Sequence, residues 1–333
     1  MPRLKTVVLL SALIPALALA QAKPARTPTV DQRILGTQVL LDRLGFGPGV
    51  IDGRTGMSLT KALKGYQEAK GLKVTGMLDD ATVKSFEPYR GTPGTIDVKL
   101  TDDILEGPFV GPLPAEESDQ AKMKVLGYAD AMEKLAERYH TTKATLIALN
   151  APEMRVTAGA TIKVPNVIPA AMDYPADINP VWKKTLWTLN VGSDQPEAAR
   201  IVVDKSDAVL RAYDGAGKLI AQFPATMGSE HDPLPIGRWK IQGRSYNPTF
   251  HFNPRLFWDA DSKDEKALLP AGPNGPVGVV WLDLDKKHYG IHGTPNPEKI
   301  GRTESHGCIR LTNWDAARLA TMVKPGTPAI FQQ

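Results

Sequence analysis

The sequence holds a single cysteine, Cys308, among its 333 residues. That excludes an intramolecular disulfide framework and leaves one thiol, either reactive or buried and inert. Histidine is also scarce, at six residues, so any constellation built on imidazole has few members. Charge of one sign is not in excess: the formal net charge is +4, and Arg3 and Lys5 supply two of those positive charges. No stripe of Arg and Lys interleaves with aromatics, which argues against a nucleic-acid partner. Long apolar runs are missing apart from residues 7–19, which Pro15 interrupts and which fall short of the roughly 20 residues a bilayer-spanning helix needs. A hydrophobic content of 42% and a charged content of 23% are those of a globular chain. The length suits two or three domains at a prior of about 150 residues each.

The apolar run has the form of an export signal. Arg3 and Lys5 precede it, residues 1–20 contain no acid, and Ala18-Leu19-Ala20 places small residues where a signal peptidase reads. Residues 1–20 are expected to be removed near Ala20, leaving no stable membrane span. Residues 21–30 read as a Pro-containing linker.

From Asp31 the pattern is helical, with Ile34, Leu35, Val39, Leu40, Leu41 and Leu44 at three- and four-residue spacing. Glycines at 45, 47 and 49 end that helix. A second runs from an N-cap at Ser58 to Lys70, and a third starts near Asp79 and stops before Pro88. Gly65 sits inside the second helix, where it costs roughly 1 kcal/mol against Ala. Residues 31–88 therefore predict a small three-helix bundle. Residues 89–124, rich in Pro, Gly and acids, read as a linker. Residues 125–168 predict two helices, the second capped by Thr142, then a short strand through Ile162 and Val164. Residues 169–198 read as a second linker. Beyond residue 199 strands dominate: Ile201–Val203, a hairpin turning at Asp214-Gly215-Ala216-Gly217, Trp239–Ile241, residues 278–284 and a stretch from Trp281 to Ile291. A helix capped by Asn313 and a last strand at residues 329–331 close the chain. The fold class is thus multidomain, with a mainly-β C-terminal domain.

The residues that carry chemistry are Tyr289-Gly290-Ile291-His292-Gly293-Thr294-Pro295 and Ser305-His306-Gly307-Cys308-Ile309-Arg310. A free thiol is only a few per cent thiolate at neutral pH, so a nucleophilic cysteine needs a base or a cation beside it. His306 lies two residues from Cys308, on the same face of an extended chain. His292 arrives from a separate segment and is the better candidate to take the thiol proton. A helix or nest N-terminus after Gly307 would offer N–H groups to a developing oxyanion. Zinc held by His288, His292, His306 and Cys308 is disfavoured, because four residues of strand separate the first two by about 13 Å. Ser58-Leu59-Thr60-Lys61 matches the Ser-x-x-Lys pattern of penicillin-binding enzymes, but neither Ser-Asp-Asn nor Lys-Thr-Gly occurs, so it reads as an N-cap and a surface lysine. His231 and His251 read as loop residues. Residues 247–276, with Phe250, Phe252, Phe257 and Trp258, read as a lid or wall of a cleft, or as an apolar satellite of the core.

Two resemblances follow from these residues. Gly49-Val50-Ile51-Asp52-Gly53, Ala62 to Gln67 and Gly71 to Thr82 resemble the three-helix peptidoglycan-binding domain, and residues 125–168 resemble a degenerate LysM glycan-binding module whose opening strand is poorly matched. His292 followed at a distance by Ser305-His306-Gly307-Cys308-Ile309-Arg310, with Pro235-Ile236-Gly237 and residues 270–279 upstream, resembles the L,D-transpeptidase (YkuD-like) family over residues 199–333. The resemblance implies a YkuD-like β-sandwich, Cys308 as nucleophile and His292 as its base, oriented by the Gly293 carbonyl. It further implies Ser305, His306 and Gly307 as supporting or oxyanion residues, Arg310 as a clamp for a substrate carboxylate, and no metal or cofactor. The reaction implied is attack on a peptidoglycan stem tetrapeptide with release of D-Ala, then transfer to an amine: another stem (a 3-3 cross-link), a lipoprotein lysine or a D-amino acid. Hydrolysis of the same thioester by an L,D-carboxypeptidase, or a silent wall-binding protein, are the alternatives. Peptidoglycan is the expected partner and the periplasm the expected location.

Overall fold

The computed structural model describes residues 29–256 and 265–333. The expected signal peptide, and Phe257 and Trp258 of the expected lid, lie outside the described residues.

The N-terminal bundle is made of α1 (Gln32–Arg43), α2 (Met57–Ala69) and α3 (Asp80–Ser85). Asp31 caps α1 by accepting from the Arg33 and Ile34 amides at 2.8 and 3.1 Å, and Asp79 caps α3. Two buried glutamines set the loops. The Gln38 side-chain oxygen accepts from the Asp52 and Gly53 amides at 3.1 and 2.8 Å, and that of Gln67 from Thr75 and Gly76 at 2.9 and 2.8 Å. The N-cap of α2 is Gly56, without a side-chain hydrogen bond. Ser58 is therefore inside the helix and does not cap it, because the turn held by Gln38 starts α2 at Met57. Lys61 is half-buried.

The middle module departs from the expected boundaries. Residues 89–124, read as a linker, contain β1 (Thr95–Lys99) and α4 (Glu117–Gln120). After α5 (Ala131–Arg138) and α6 (Lys143–Asn150), β2 (Thr161–Pro165) pairs antiparallel with β1, in a register that sets Asp97 opposite Lys163. The module is β-α-α-β with a long excursion after its first strand. Ile96 and Val98 alternate with polar residues as a half-buried strand requires, but the Pro- and Gly-rich flanks obscured five residues of pattern. Leu100, Leu135, Tyr139, Leu146, Ile162 and Val164 form its core, continuous with Leu35, Val39 and Ile51 of the bundle.

Residues 169–198, also read as a linker, contain α7 (Pro180–Thr188), capped by Asn179. Trp182 and Leu186 on this helix are buried in the C-terminal core, and Trp182 stacks on Tyr246 at 4.2 Å. This segment is thus part of the C-terminal domain.

That domain contributes β3 (Arg200–Asp204), β4 (Val209–Tyr213), β5 (Leu219–Pro224), β6 (Thr226–Met227), β7 (Gly237–Tyr246), β8 (Phe250–Phe252), β9 (Ala267–Leu269), β10 (Val280–Leu284), β11 (Gly290–His292), β12 (Ile309–Arg310), α8 (Asn313–Met322) and β13 (Pro328–Gln332). Among the described residues the main sheet runs β5-β4-β3-β13-β7-β10-β11-β12-β6. The ten-residue β7 joins its two halves: residues 237–240 pair with β13 and residues 241–246 with β10. Residues 281–291, read as one strand, are instead a hairpin of β10 and β11. Thr312, not Asn313, caps α8 through its hydroxyl, since the Asn313 side chain is engaged elsewhere. β8 and β9 pair with each other, so His251 is a strand residue rather than a loop residue. Phe252 and Leu269 pack on Leu126 from the excursion of the middle module, a small cluster apart from the main core.

The modules are joined closely. The segment around Phe46 lies along the edge strand β5, with the Gly47 amide donating to Gln222 O at 2.7 Å and the Gln222 amide to Gly45 O at 2.9 Å. The Gln222 side chain donates to Lys61 O at 2.7 Å, and a Cβ placed on Gly65 would stand 2.7 Å from it. Gly65 is therefore where α2 meets the sheet. At the centre of all three modules Asp42 pairs with His140 at 3.1 Å and with Arg318 at 3.2 Å, all of them buried.

Candidate active site

The site is written on one face of the β10–β11–β12–β6 array. Because β-strand side chains alternate, Leu282, Ile291, Ile309 and Met227 point into the core, where all four are buried. Their neighbours form a second row: Trp281 is in register with His292, His292 with Arg310, and Arg310 with Thr226. Cys308 stands two residues before Arg310, at the start of β12. Parallel pairing of β11 with β12 thus brings the two motif segments together.

His292 is buried. Its Nδ1 donates to the Gly293 carbonyl at 2.7 Å, which leaves Nε2 bare and able to accept a proton. The Trp281 indole stacks on the ring at 5.3 Å between centroids. That ring lies across Gly290, where a Cβ would be 2.3 Å from it, so glycine is required there. Burial pushes the His292 imidazole down to about 3, and the Arg310 guanidinium adds to the effect. The ring is neutral at working pH.

Cys308 is partly exposed. Its Sγ lies 3.8 Å from the His288 carbonyl. Burial raises the thiol above its ordinary value, against the opposing Gly290 amide and Arg310 charge, and with Asp232 raising it further. The turn ahead of it is held by Ser305, a buried residue whose hydroxyl donates to the Cys308 carbonyl at 2.6 Å and accepts from the Gly228 amide at 2.7 Å. Gly307 has φ +89°, and a Cβ there would meet the Tyr289 ring at 2.6 Å. A strand rather than a helix follows, so the turn before Cys308 depends on the left-handed Gly307. Arg310 is half-buried, with Nη2 at 3.4 Å from His306 Nδ1 and Nη1 at 3.5 Å from Glu304 O.

All seven expected site residues (Cys308, His292, Gly293, Ser305, His306, Gly307 and Arg310) thus lie in this one region. His251 on β8 and Ser58 on α2 belong to other elements. Tyr289 and Trp281 were given no role in the sequence reading. The first covers Gly307 and the second backs His292, and the signal for both was an aromatic beside the His292 strand. Beyond Arg310, along the outer strand β6, a cavity of about 340 Å³ is lined by Lys205, Thr226, Gly228, Glu230 and Glu304 among others. Among the described residues no group of three or more His, Cys, Asp or Glu is placed to hold a metal ion, and no helix is long and apolar enough to cross a membrane.

Comparison with known proteins identifies two domains. Residues 198–331 match the YkuD L,D-transpeptidase catalytic domain, and residues 33–85 match a peptidoglycan binding domain. YkuD of Bacillus licheniformis, an L,D-transpeptidase by name, is 29% identical over 202 residues, covering 60% of this chain and 91% of that protein. YbiS of Escherichia coli K12, also an L,D-transpeptidase by name, is 30% identical over 135 residues, covering 39% of this chain and 44% of that protein. An L,D-transpeptidase structure from Mycobacterium smegmatis, at 23% identity, covers 40% of this chain and 58% of that one with a TM-score of 0.32. Residues 198–331 thus form a catalytic domain of the YkuD L,D-transpeptidase type, with a peptidoglycan-binding domain at residues 33–85 ahead of it.

Proposed function

We propose that this protein is a periplasmic L,D-transpeptidase that works through a Cys308 thioester. The observation that supports this best is the parallel pairing of β11 with β12, which sets His292 beside Arg310 and two residues from Cys308. In the proposed reaction Cys308 Sγ attacks the carbonyl of the third residue of a stem tetrapeptide while its proton passes to His292 Nε2. The oxyanion is met by N–H groups of the Gly307 turn. Collapse breaks the amide bond, and the leaving D-Ala amine takes the proton from His292. An incoming amine then attacks the thioester, loses a proton to His292, and the thiol re-forms on release. Arg310 binds a donor carboxylate; its register partner Thr226 lines the 340 Å³ cavity alongside, a volume within the roughly 300–1,000 Å³ of ligand clefts. The acceptor is another stem, a lipoprotein lysine or a D-amino acid.

The bundle at residues 31–88 and the LysM-like module hold the enzyme on the wall after cleavage of residues 1–20 near Ala20. Intact-protein mass spectrometry with purified disaccharide tetrapeptide tests the reading. The wild type gains an acyl adduct on Cys308 and yields dimers, whereas Cys308→Ala gains none. An adduct on that variant would defeat the proposal, and tripeptide as sole product would mark a carboxypeptidase.

A further inference from the structure

Behind His292 the structure contains a bridge from another module. Glu137 lies on α5 of the middle module and is 7% exposed. One carboxylate oxygen accepts from the Tyr128 hydroxyl at 2.6 Å and the other from Asn313 Nδ2 at 2.7 Å. Asn313, the first residue of α8, is fully buried. Its Nδ2 also donates to Pro273 O at 3.1 Å, while its Oδ1 accepts from the Val279 amide at 3.2 Å. That oxygen is pressed against two backbones. A Cβ on Gly278 would stand 1.9 Å from it, and one on Gly293 2.1 Å. Gly293 supplies the carbonyl that holds His292 Nδ1.

Ionised, Glu137 only accepts, and as the neutral acid it still keeps an accepting carbonyl oxygen for Asn313. Glu137 therefore dictates which end of the Asn313 amide faces the middle module and which faces Gly293. Without it one Asn313 N–H is buried without an acceptor, an unfavourable state that the amide can escape only by moving. The amide would then turn over or shift, and Gly293 with its carbonyl is the first backbone in its way. Burial pushes Glu137 up to about 7, so holding an acidic group here is itself unfavourable. A docking contact alone would be served as well by an apolar pair.

We propose that Glu137 is a positioning residue for the reaction: by holding the Asn313 amide against Gly293 it fixes the carbonyl that orients His292, so the catalytic domain is fully competent only with the middle module docked. This rests on the reading of His292 as the base. The role differs from glycan binding, since Glu137 faces inward. The test uses the full-length protein and single-turnover acylation by purified disaccharide tetrapeptide. Glu137→Ala should lower the acylation rate constant about tenfold while leaving half-saturation within twofold. Glu137→Gln, which keeps an acceptor for Asn313, should recover to within about threefold of wild type. Asn313→Ala should lose rate to a similar extent, and the double variant Glu137→Ala/Asn313→Ala should be no slower than the worse single one. A folded Glu137→Ala with wild-type rate would overturn the proposal, as would equal losses in the Ala and Gln variants. If Glu137→Ala fails to fold, the comparison of Glu137→Gln with Tyr128→Phe and Asn313→Ala decides instead: only Asn313→Ala should be slow, and a fast folded Asn313→Ala would overturn the proposal. His292→Ala separates the two levels. If it still acylates at the wild-type rate, the assignment of the base has failed, whatever Glu137 does.

Discussion

Cys308 and His292 sit in surroundings that disfavour charge on either. Burial raises the thiol and drives the imidazole down to about 3, so the resting pair at neutral pH is a thiol beside a neutral ring. Proton transfer and attack are then coupled, and His292 is already the free base across the usual working range. The expected consequence is an acylation rate that stays level from about pH 5 to 7, where a histidine of ordinary pKa near 6.5 would lose its function. Stopped-flow acylation over that range checks it, and an acidic limb centred near pH 6.5 would contradict it. Alkylation of the free enzyme by iodoacetamide should likewise be slow at pH 7 and still rising above pH 9. The residues most legible in the sequence belong to this scale. Cys308, His292 and Arg310 lie in two short segments whose spacing predicts their chemistry, whereas Trp281 and Tyr289 act only because β10, β11 and the turn at Gly307 fold over one another.

At the scale of elements, the caps and hairpins were readable because they depend on neighbours a few residues apart. Thr142 caps the helix expected of it, and the helices expected to start near Asp31 and Asp79 do so, with those two residues as their caps. Ser58 and Asn313 do not cap theirs, because tertiary contacts through Gln38 and Glu137 decide where those turns begin. The strand β1 and the helix α7 were missed for a related reason: each is short, and each is stabilised by a partner outside its own segment. Gly65 shows the same effect in energy. Helix propensity alone says Gly65→Ala should stabilise α2 by about 1 kcal/mol. In the structure the new methyl would strike Gln222, which is pinned by Lys61 O and by Arg211 at 3.0 Å. Displacing it breaks two hydrogen bonds in a buried place, at about 1–3 kcal/mol for the groups left unpaired. Gly65→Ala is therefore expected to lower the melting temperature, by net destabilisation of roughly 1 kcal/mol. A raised melting temperature would show that α2 is not docked on β5.

Over the whole molecule, buried carboxylates tie the three modules together and set how stability responds to pH. Burial pushes Glu137 up to about 7 from 4.5, and Asp315 up to about 6 from 3.8 despite the Arg318 charge beside it. A raised acid binds its proton more tightly in the folded state, so each group weakens folding as pH rises through the interval between its unfolded and folded values. Asp42 has the opposite sign. Burial opposes its charge, but Arg318 and His140 hold it well below the ordinary carboxylate range, so its contribution is present above pH 3.8 and lost as the pH falls below that. The melting temperature should therefore decline from about pH 5 to pH 7.5, with Glu137 accounting for up to roughly 3 kcal/mol. Glu137→Gln should flatten that decline, as calorimetry across the interval would show. An unchanged slope would mean that Glu137 does not titrate there.

Local pattern decided the bundle helices, α5, α6 and α8, the β-rich C-terminal half and the histidine–cysteine signature, since periodicity, turn chemistry and short motifs are written within a few residues. Tertiary structure decided which elements share a core and what stands behind the site. Asp97 and Lys163 face each other across 66 residues of chain, Glu137 and Asn313 across 176, Asp42 and Arg318 across 276. Pairings at such separations depend on how whole modules dock, which leaves no periodic trace in either partner's neighbourhood.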